Sequence, residues 1–246
     1  MGQHRDTSAH HCISSINGEE DQIMSIATES RIPRILETAP DFQAKSTHGV
    51  IKLSDYTSKG KWVMLFSHPS DFTPVCSTEF MEFARRADDF EKINVQLIGV
   101  SIDSVFSHIA WVRDMEQMSG IAIKFPVIAD LDQKVSAVYG LVHEAASDTA
   151  AIRAVFAIDP KGLIRALIYY PMQLGRNVDE LIRVFQALQV VDANGVSCPA
   201  NWQPGQQVIV PAPATVEDAA KRTNGGGAGL DVKTWYLSKK DLPAAQ

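Results

Sequence analysis

Two short apolar runs, Trp62–Ser67 (WVMLFS) and Val95–Ser101 (VQLIGVS), constrain this chain more than any other feature in it. Each has the length of a strand, and a near-continuous apolar run is what a strand buried on both faces requires. Between them Phe80, Phe83, Ala84, Ala87 and Phe90 recur at helical spacing among charged residues, which predicts an amphipathic helix. Strand, helix, strand at this spacing is a βαβ unit, with parallel strands and a right-handed crossover.

The remaining elements fit around that unit. Ser104 to Met118 predicts a second helix with Val105, Ile109 and Val112 on one face. Phe125–Ala129 reads as a strand that Pro126 confines to its start or to an edge position. Ala154–Ile158 and Ile164–Tyr169 flank the turn sequence Asp159–Gly162 and form a hairpin. Asp179–Val190 predicts a helix with Leu181, Ile182, Phe185 and Leu188 facing inward. An α/β domain over residues 32–191 is the expected product, between a flexible extension (1–31) and a C-terminal arm or small second domain (192–246).

Residues 1–23 of the extension are polar and aperiodic, and Met24 could itself initiate the chain. Its cluster of His4, His10, His11 and Cys12 could hold a metal, but a tail with incidental histidines is the expectation. The arm carries four prolines between residues 192 and 214, then Thr215 as the cap of a short helix, then a glycine-rich loop at 225–229. No strand precedes that loop and no helix clearly follows it, so it reads as a linker and not as a phosphate cradle. Such an arm needs another surface to pack against.

With a net charge of −6 and a pI near 5.6, a nucleic-acid partner is not expected. The absence of a long apolar run argues against a membrane partner, and the polar N-terminus does not resemble a secretory signal. The 3 cysteines, Cys12, Cys76 and Cys198, are too few and too scattered for a secreted disulfide scaffold. The cytoplasm is the expected compartment.

Cys76 stands out by position, in the first turn of the predicted helix and just after Pro74, a residue favoured there. A cysteine reacts as its thiolate, yet a free thiol, with a pKa of about 8.5, is only a few per cent ionised at neutral pH. Free N–H groups and the helix dipole favour the anion, the dipole by roughly 0.3–1 kcal/mol. A nearby cation or further donors must supply the rest. Taken alone, a buried and inert cysteine would be the commoner outcome.

The residues around Cys76 carry a family resemblance. Pro69–Cys76 (PSDFTPVC) matches the peroxiredoxin signature P-x-x-x-T-x-x-C, and Phe66–Glu79 resembles the one-cysteine, peroxiredoxin-six-type branch. Ala39–Phe42, Arg153–Pro160, Tyr170–Arg183 and Pro199–Gly205 supply further matches in order, over about residues 30–240. The resemblance implies a thioredoxin-like fold with Cys76 as the peroxidatic thiolate. It implies that Thr73 hydrogen-bonds the thiolate and the peroxide, that Pro69 shields the site, and that Arg153 is the cation. Donors fixed where oxygen gains charge in the transition state are a large catalytic term. His68, Arg176 and Glu79 are substrate-side candidates. His68 contacts the site or is a satisfied loop histidine. Arg176 is a second cation near the pocket or a loop charge, and Glu79 positions Arg153 or serves the helix dipole.

Cys198 lies in Gly195–Gly205 (GVSCPANWQPG), which resembles the resolving-cysteine motif of typical two-cysteine peroxiredoxins, V-C-P-A-x-W. The tail, including Lys233–Lys240, resembles the six-type branch, whose purely one-cysteine members lack an internal partner. Resolution by Cys198 of a partner subunit is the expectation, and external thiol resolution the alternative. A lipase-like G-x-S-x-G segment of some six-type members is absent at Thr57–Trp62. No metal or other cofactor is implied. The expected partners are a peroxide, a thiol reductant such as thioredoxin, and another copy in a homodimer or higher homo-oligomer, in which Trp202 and Trp235 would be buried. A non-enzymatic redox sensor or holdase could use the same fold, though it could dispense with the Pro69–Thr73–Cys76 and Arg153 set. A thioredoxin-like reductase would need a cysteine three residues from Cys76, where Thr73 and Glu79 stand.

Overall fold

The computed structural model describes residues 32–243 apart from Asp148 and Gly226. The extension, with Met24 and the His4–Cys12 cluster, therefore lies outside the described residues.

A hairpin of β1 (Gln43–Ser46) and β2 (Gly49–Lys52) opens the fold, followed by the short helix α1 (Ser54–Thr57). The βαβ unit follows, as β3 (Trp62–Ser67), α2 (Pro74–Arg85), α3 (Ala87–Lys92) and β4 (Val95–Ser101). The expected single helix is thus two, broken at Arg86 (φ −97°, ψ 7°), while Phe80, Phe83 and Phe90 are buried all the same. Next come α4 (Val105–Ser119), β5 (Val127–Ala129), α5 (Lys134–Tyr139), β6 (Arg153–Ile158), β7 (Ile164–Tyr170) and α6 (Val178–Asn194).

The seven strands pair in the order β2-β1-β5-β4-β3-β6-β7. β3 is parallel to β4, with Trp62 opposite Val95, and antiparallel to β6, with Phe66 opposite Val155. Alternation along β3 divides the core in two. Trp62, Met64 and Phe66 face the cluster under α2, α4 and α6, while Val63 and Leu65 face the other. Pro126 precedes β5, as expected for a strand start, but β5 is interior, between β1 and β4.

α4 presents a different face from the expected one. His108, Trp111 and Met115 are buried, at i, i+3 and i+7, whereas Ile109 is exposed and Val105 and Val112 are only half-buried. A histidine enters the core because its ring nitrogens find partners there, which its own helix does not reveal.

α6 is capped by Asn177, whose Oδ1 accepts from the Glu180 N–H at 3.2 Å, and runs on to Asn194 before Gly195 turns in the left-handed region. The arm then folds back on its own chain. Val196, Trp202 and Val208 are buried against Ala187 and Val190 of α6, so Trp202 needs no partner subunit to be covered. Trp235 stays half-exposed. β8 (Val208–Val210), β9 (Asp231–Val232) and β10 (Ser238–Lys240) make a small antiparallel sheet in the order β8-β10-β9. Between them lies α7 (Val216–Thr223), whose cap Thr215 accepts from the Asp218 N–H at 3.1 Å.

Candidate active site

β3 delivers the chain to the site. His68, one residue beyond it, donates its N–H to the Val100 carbonyl of β4 at 3.1 Å and is fully buried. Pro69 and Ser70 are half-buried, and Phe72 is exposed with a left-handed φ of 55°, which is uncommon for a bulky residue. Thr73 is the extended N-cap residue of α2, and Pro74 is its first helical residue, where the missing N–H costs nothing. Cys76 follows in the first turn, with no exposed surface.

Arg153 at the start of β6 reaches across the site. Its Nη1 donates to Cys76 Sγ at 3.3 Å and to Glu79 Oε2 at 2.7 Å, and its Nε donates to the Met172 carbonyl at 2.8 Å. Glu79, one turn beyond Cys76, is the hub of the site. Arg176 donates to both its oxygens, Nε to Oε1 at 2.8 Å and Nη2 to Oε2 at 2.7 Å, and adds its backbone N–H at 2.8 Å. Burial alone would raise the Glu79 carboxyl, but the charge and hydrogen bonds of Arg176, then the charge of Arg153, outweigh it and hold the group below its ordinary value. One carboxylate balances one of the two buried guanidiniums. The remaining positive charge faces the sulfur, where an anion completes the balance.

Arg176 is more deeply committed than a substrate cation would be. Its Nη1 donates to the carbonyls of Ser67 and Ala154 at 3.0 and 3.1 Å, and its guanidinium lies over Phe66 and Phe83 at 5.1 and 5.4 Å. Nε, Nη1 and Nη2 all have protein acceptors, so its contact with the site runs through Glu79. The Thr73 hydroxyl donates its proton to the Ser70 carbonyl at 2.8 Å, not to Cys76.

His68 belongs to a network that sequence reasoning missed. Its Nε2 lies 3.0 Å from Asp71 Oδ1, and its ring stacks on Trp111 with centroids 5.1 Å apart. His108 of α4 approaches both oxygens of Asp71, at 3.0 and 2.9 Å. Burial lowers the His68 pKa, against the opposing pull of Asp71, and keeps the ring neutral. For Asp71, burial would raise the carboxyl, but hydrogen bonds from His108 and His68 outweigh it and hold the group far below the usual carboxylate range. The signal available in the sequence was the coincidence of Asp71 in the signature loop with a histidine on an apolar helix face.

Cys198 lies elsewhere, at the arm's contact with α6. Its thiol donates weakly to the Ala187 carbonyl, with sulfur and oxygen 3.8 Å apart. Burial pushes this thiol up, and Arg183 opposes the shift.

Comparison with known proteins decides the family. The family model of the AhpC/TSA family matches residues 35–167, more than half of the chain. The chain belongs to the peroxiredoxins. A "Peroxiredoxin" of Aquifex aeolicus is 50% identical over 221 residues, covering 86% of this chain and 98% of that one. The model of the C-terminal domain of 1-Cys peroxiredoxin matches residues 187–226. Among solved structures, a yeast mitochondrial 1-Cys peroxiredoxin superposes with a TM-score of 0.75 at 38% identity, over 86% of this chain and all of that one. A reduced 2-Cys peroxiredoxin of Plasmodium vivax superposes with a TM-score of 0.66 at 32% identity, over 71% of this chain and 92% of that one. The fold is therefore thioredoxin-like α/β, and this peroxiredoxin is a thiol-dependent peroxidase. Peroxiredoxins act on peroxides, draw on thiol reductants and form oligomers. Among the described residues, no helix is long and apolar enough to cross a membrane.

Proposed function

We propose that Cys76 is the peroxidatic thiolate, and that it reduces hydrogen peroxide and small organic hydroperoxides. The observation that carries this reading is the guanidinium of Arg153, 3.3 Å from Sγ and fixed by Glu79 and the Met172 carbonyl. The thiolate attacks one peroxide oxygen, the S–O bond forms and the O–O bond breaks. The leaving oxygen departs with the electron pair and takes a proton as water or alcohol. The sulfur, oxidised by two electrons, is left as a sulfenic acid. Arg153 stabilises both the thiolate and the charge that grows on the oxygens. Glu79 and Arg176 are positioning residues for Arg153. Pro69 shields the sulfur, and Thr73 aligns the peroxide after its hydroxyl turns from Ser70.

A second thiol then condenses with the sulfenic acid, forming a disulfide and releasing water. Cys198 of a partner subunit in a homodimer is that thiol in the reading its surrounding motif supports, and thioredoxin or a similar thiol then reduces the disulfide. The match to the 1-Cys C-terminal domain favours a second reading, in which an external thiol resolves Cys76 directly. That yeast relative's thiol resolution runs through glutathione/thioredoxin systems. Three cysteines without the pattern of a disulfide scaffold fit a cytoplasmic enzyme.

A non-reducing gel after one equivalent of peroxide tests the choice. Disulfide-linked dimers that vanish in both Cys76→Ser and Cys198→Ser, and persist in Cys12→Ser, support Cys198. Unlinked chains that cycle equally fast with thioredoxin in Cys198→Ser establish the external route.

A further inference from the structure

We propose that Asp71 and His108 form a buried carboxylate–imidazolium latch that holds the Cys76 loop shut, which makes both of them positioning residues for the peroxidase. Proton counting at His108 supports the latch. Its Nδ1 faces the two Asp71 oxygens at 3.0 and 2.9 Å, and its Nε2 faces the Ile128 carbonyl at 3.0 Å. A carbonyl and an ionised carboxylate only accept, so each ring nitrogen must donate and His108 carries both protons. Asp71 is also the acceptor for His68 Nε2, and all three side chains are closed to solvent. His68 stays neutral, so one carboxylate meets one cation.

The latch acts on the loop through a single helix. His108 grips Asp71, and one turn later Trp111 donates its Nε1–H to Ser77 Oγ at 3.1 Å, next to Cys76. Ser77 in turn donates to the Thr73 carbonyl at 2.8 Å. From the β4–α4 turn, Asp103 accepts the Asp71 N–H at 3.1 Å. Phe72, between the two grips, is exposed and holds its left-handed φ of 55°. Strain of this kind persists only where neighbouring contacts fix it. Cys76 has no exposed surface, and a disulfide needs its sulfur within about 2.05 Å of another, so the loop must open before any thiol can reach it. The latch sets how often it opens.

The inference rests on Cys76 being the reacting thiol, but its two decisive readouts use no peroxide, so its failure is distinguishable from failure of that reading. In the full chain with 15N-labelled histidine, a long-range proton–nitrogen spectrum at neutral pH should show both His108 nitrogens protonated. One unprotonated His108 nitrogen, or one equivalent of metal bound by His68, Asp71 and His108, would overturn the latch. Hydrogen exchange of the Asp71 and Ser77 amides, bonded to Asp103 and to the Thr73 carbonyl, should be slow in the wild type, and Asp71→Asn or His108→Gln should speed it by about tenfold, the loss expected for one charged hydrogen bond. Free exchange of these amides in the wild type would overturn the proposal even if neither variant folds. At a fixed peroxide-to-thiol ratio the variants should accumulate less sulfinic acid, because the opened loop meets the reducing thiol sooner. An unchanged sulfinic fraction in a folded variant would overturn the gating role.

Discussion

Cys76 lies at the mouth of α2 with a guanidinium 3.3 Å from its sulfur, whereas Cys198 lies beside α6 with the Ala187 carbonyl 3.8 Å away. Around Cys76 the polar groups come from five places in the chain: the β3–α2 loop, α2, α4, β6 and the approach to α6. Around Cys198 the surroundings are mostly apolar and come from neighbouring sequence, with Val196, Trp202, Ala187 and Val190. The first arrangement supports an anionic sulfur at a fixed point. The second holds a thiol whose ionisation burial opposes, on a segment outside the seven-stranded sheet. In the proposed reading the former suits the thiol that attacks peroxide, and the latter a thiol that enters only at the resolving step.

Breaking the hub should have the largest effect. Glu79→Leu would leave two guanidiniums buried without their carboxylate, a loss of about 3–5 kcal/mol in urea unfolding, with peroxidase activity abolished. Stability near wild type would show that the charges around Cys76 are not coupled as described. Thr73→Val should keep the fold and slow single-turnover peroxide reduction by roughly 2.7–4 kcal/mol, the cost of one preorganised donor. A wild-type rate in stopped flow would reduce Thr73 to a pin on Ser70.

Acid should weaken the Cys76 region first. Below about pH 6.5 the unfolded chain protonates His68 while the fold resists, so the contribution of His68 to stability falls as pH falls. Asp71 and Glu79 have depressed folded values, so the stability they add above the usual carboxylate range is lost below about pH 4. Urea midpoints of wild type and His68→Asn between pH 7 and 5 should diverge, the variant staying flatter, and parallel curves would contradict a neutral buried His68. The smallest effect belongs to Cys198→Ser, which should leave the first peroxide-consuming step unchanged in stopped flow. A slowed first step would mean that the two thiols are coupled before oxidation.

The βαβ unit, the β6–β7 hairpin and the placement of Cys76 in the first turn of α2 were legible because they depend on local periodicity and one proline. Arg153 was named by resemblance and Glu79 as an open candidate, yet the convergence of Arg153 and Arg176 on the Glu79 carboxylate arises only when β6 pairs with β3. The Asp71–His108 contact spans 37 residues and runs through α4, whose buried face differs from the apolar one expected from Val105, Ile109 and Val112. The arm's packing on α6 was also hidden. Trp202 finds cover in its own chain through a turn in which Asn201 takes a positive φ of 59° and Gln206 accepts the indole N–H at 3.0 Å.

The central claim, that Cys76 is the sulfur that attacks peroxide, is tested most directly by trapping the sulfenic acid. The full chain and its Cys76→Ser variant would be treated with one equivalent of hydrogen peroxide in the presence of a dimedone-type probe, then digested and analysed by mass spectrometry. The probe should appear on the peptide containing Cys76 and on no other, with peroxide consumption lost in Cys76→Ser. Probe on Cys198 or Cys12 alone, or continued turnover by Cys76→Ser, would contradict the account.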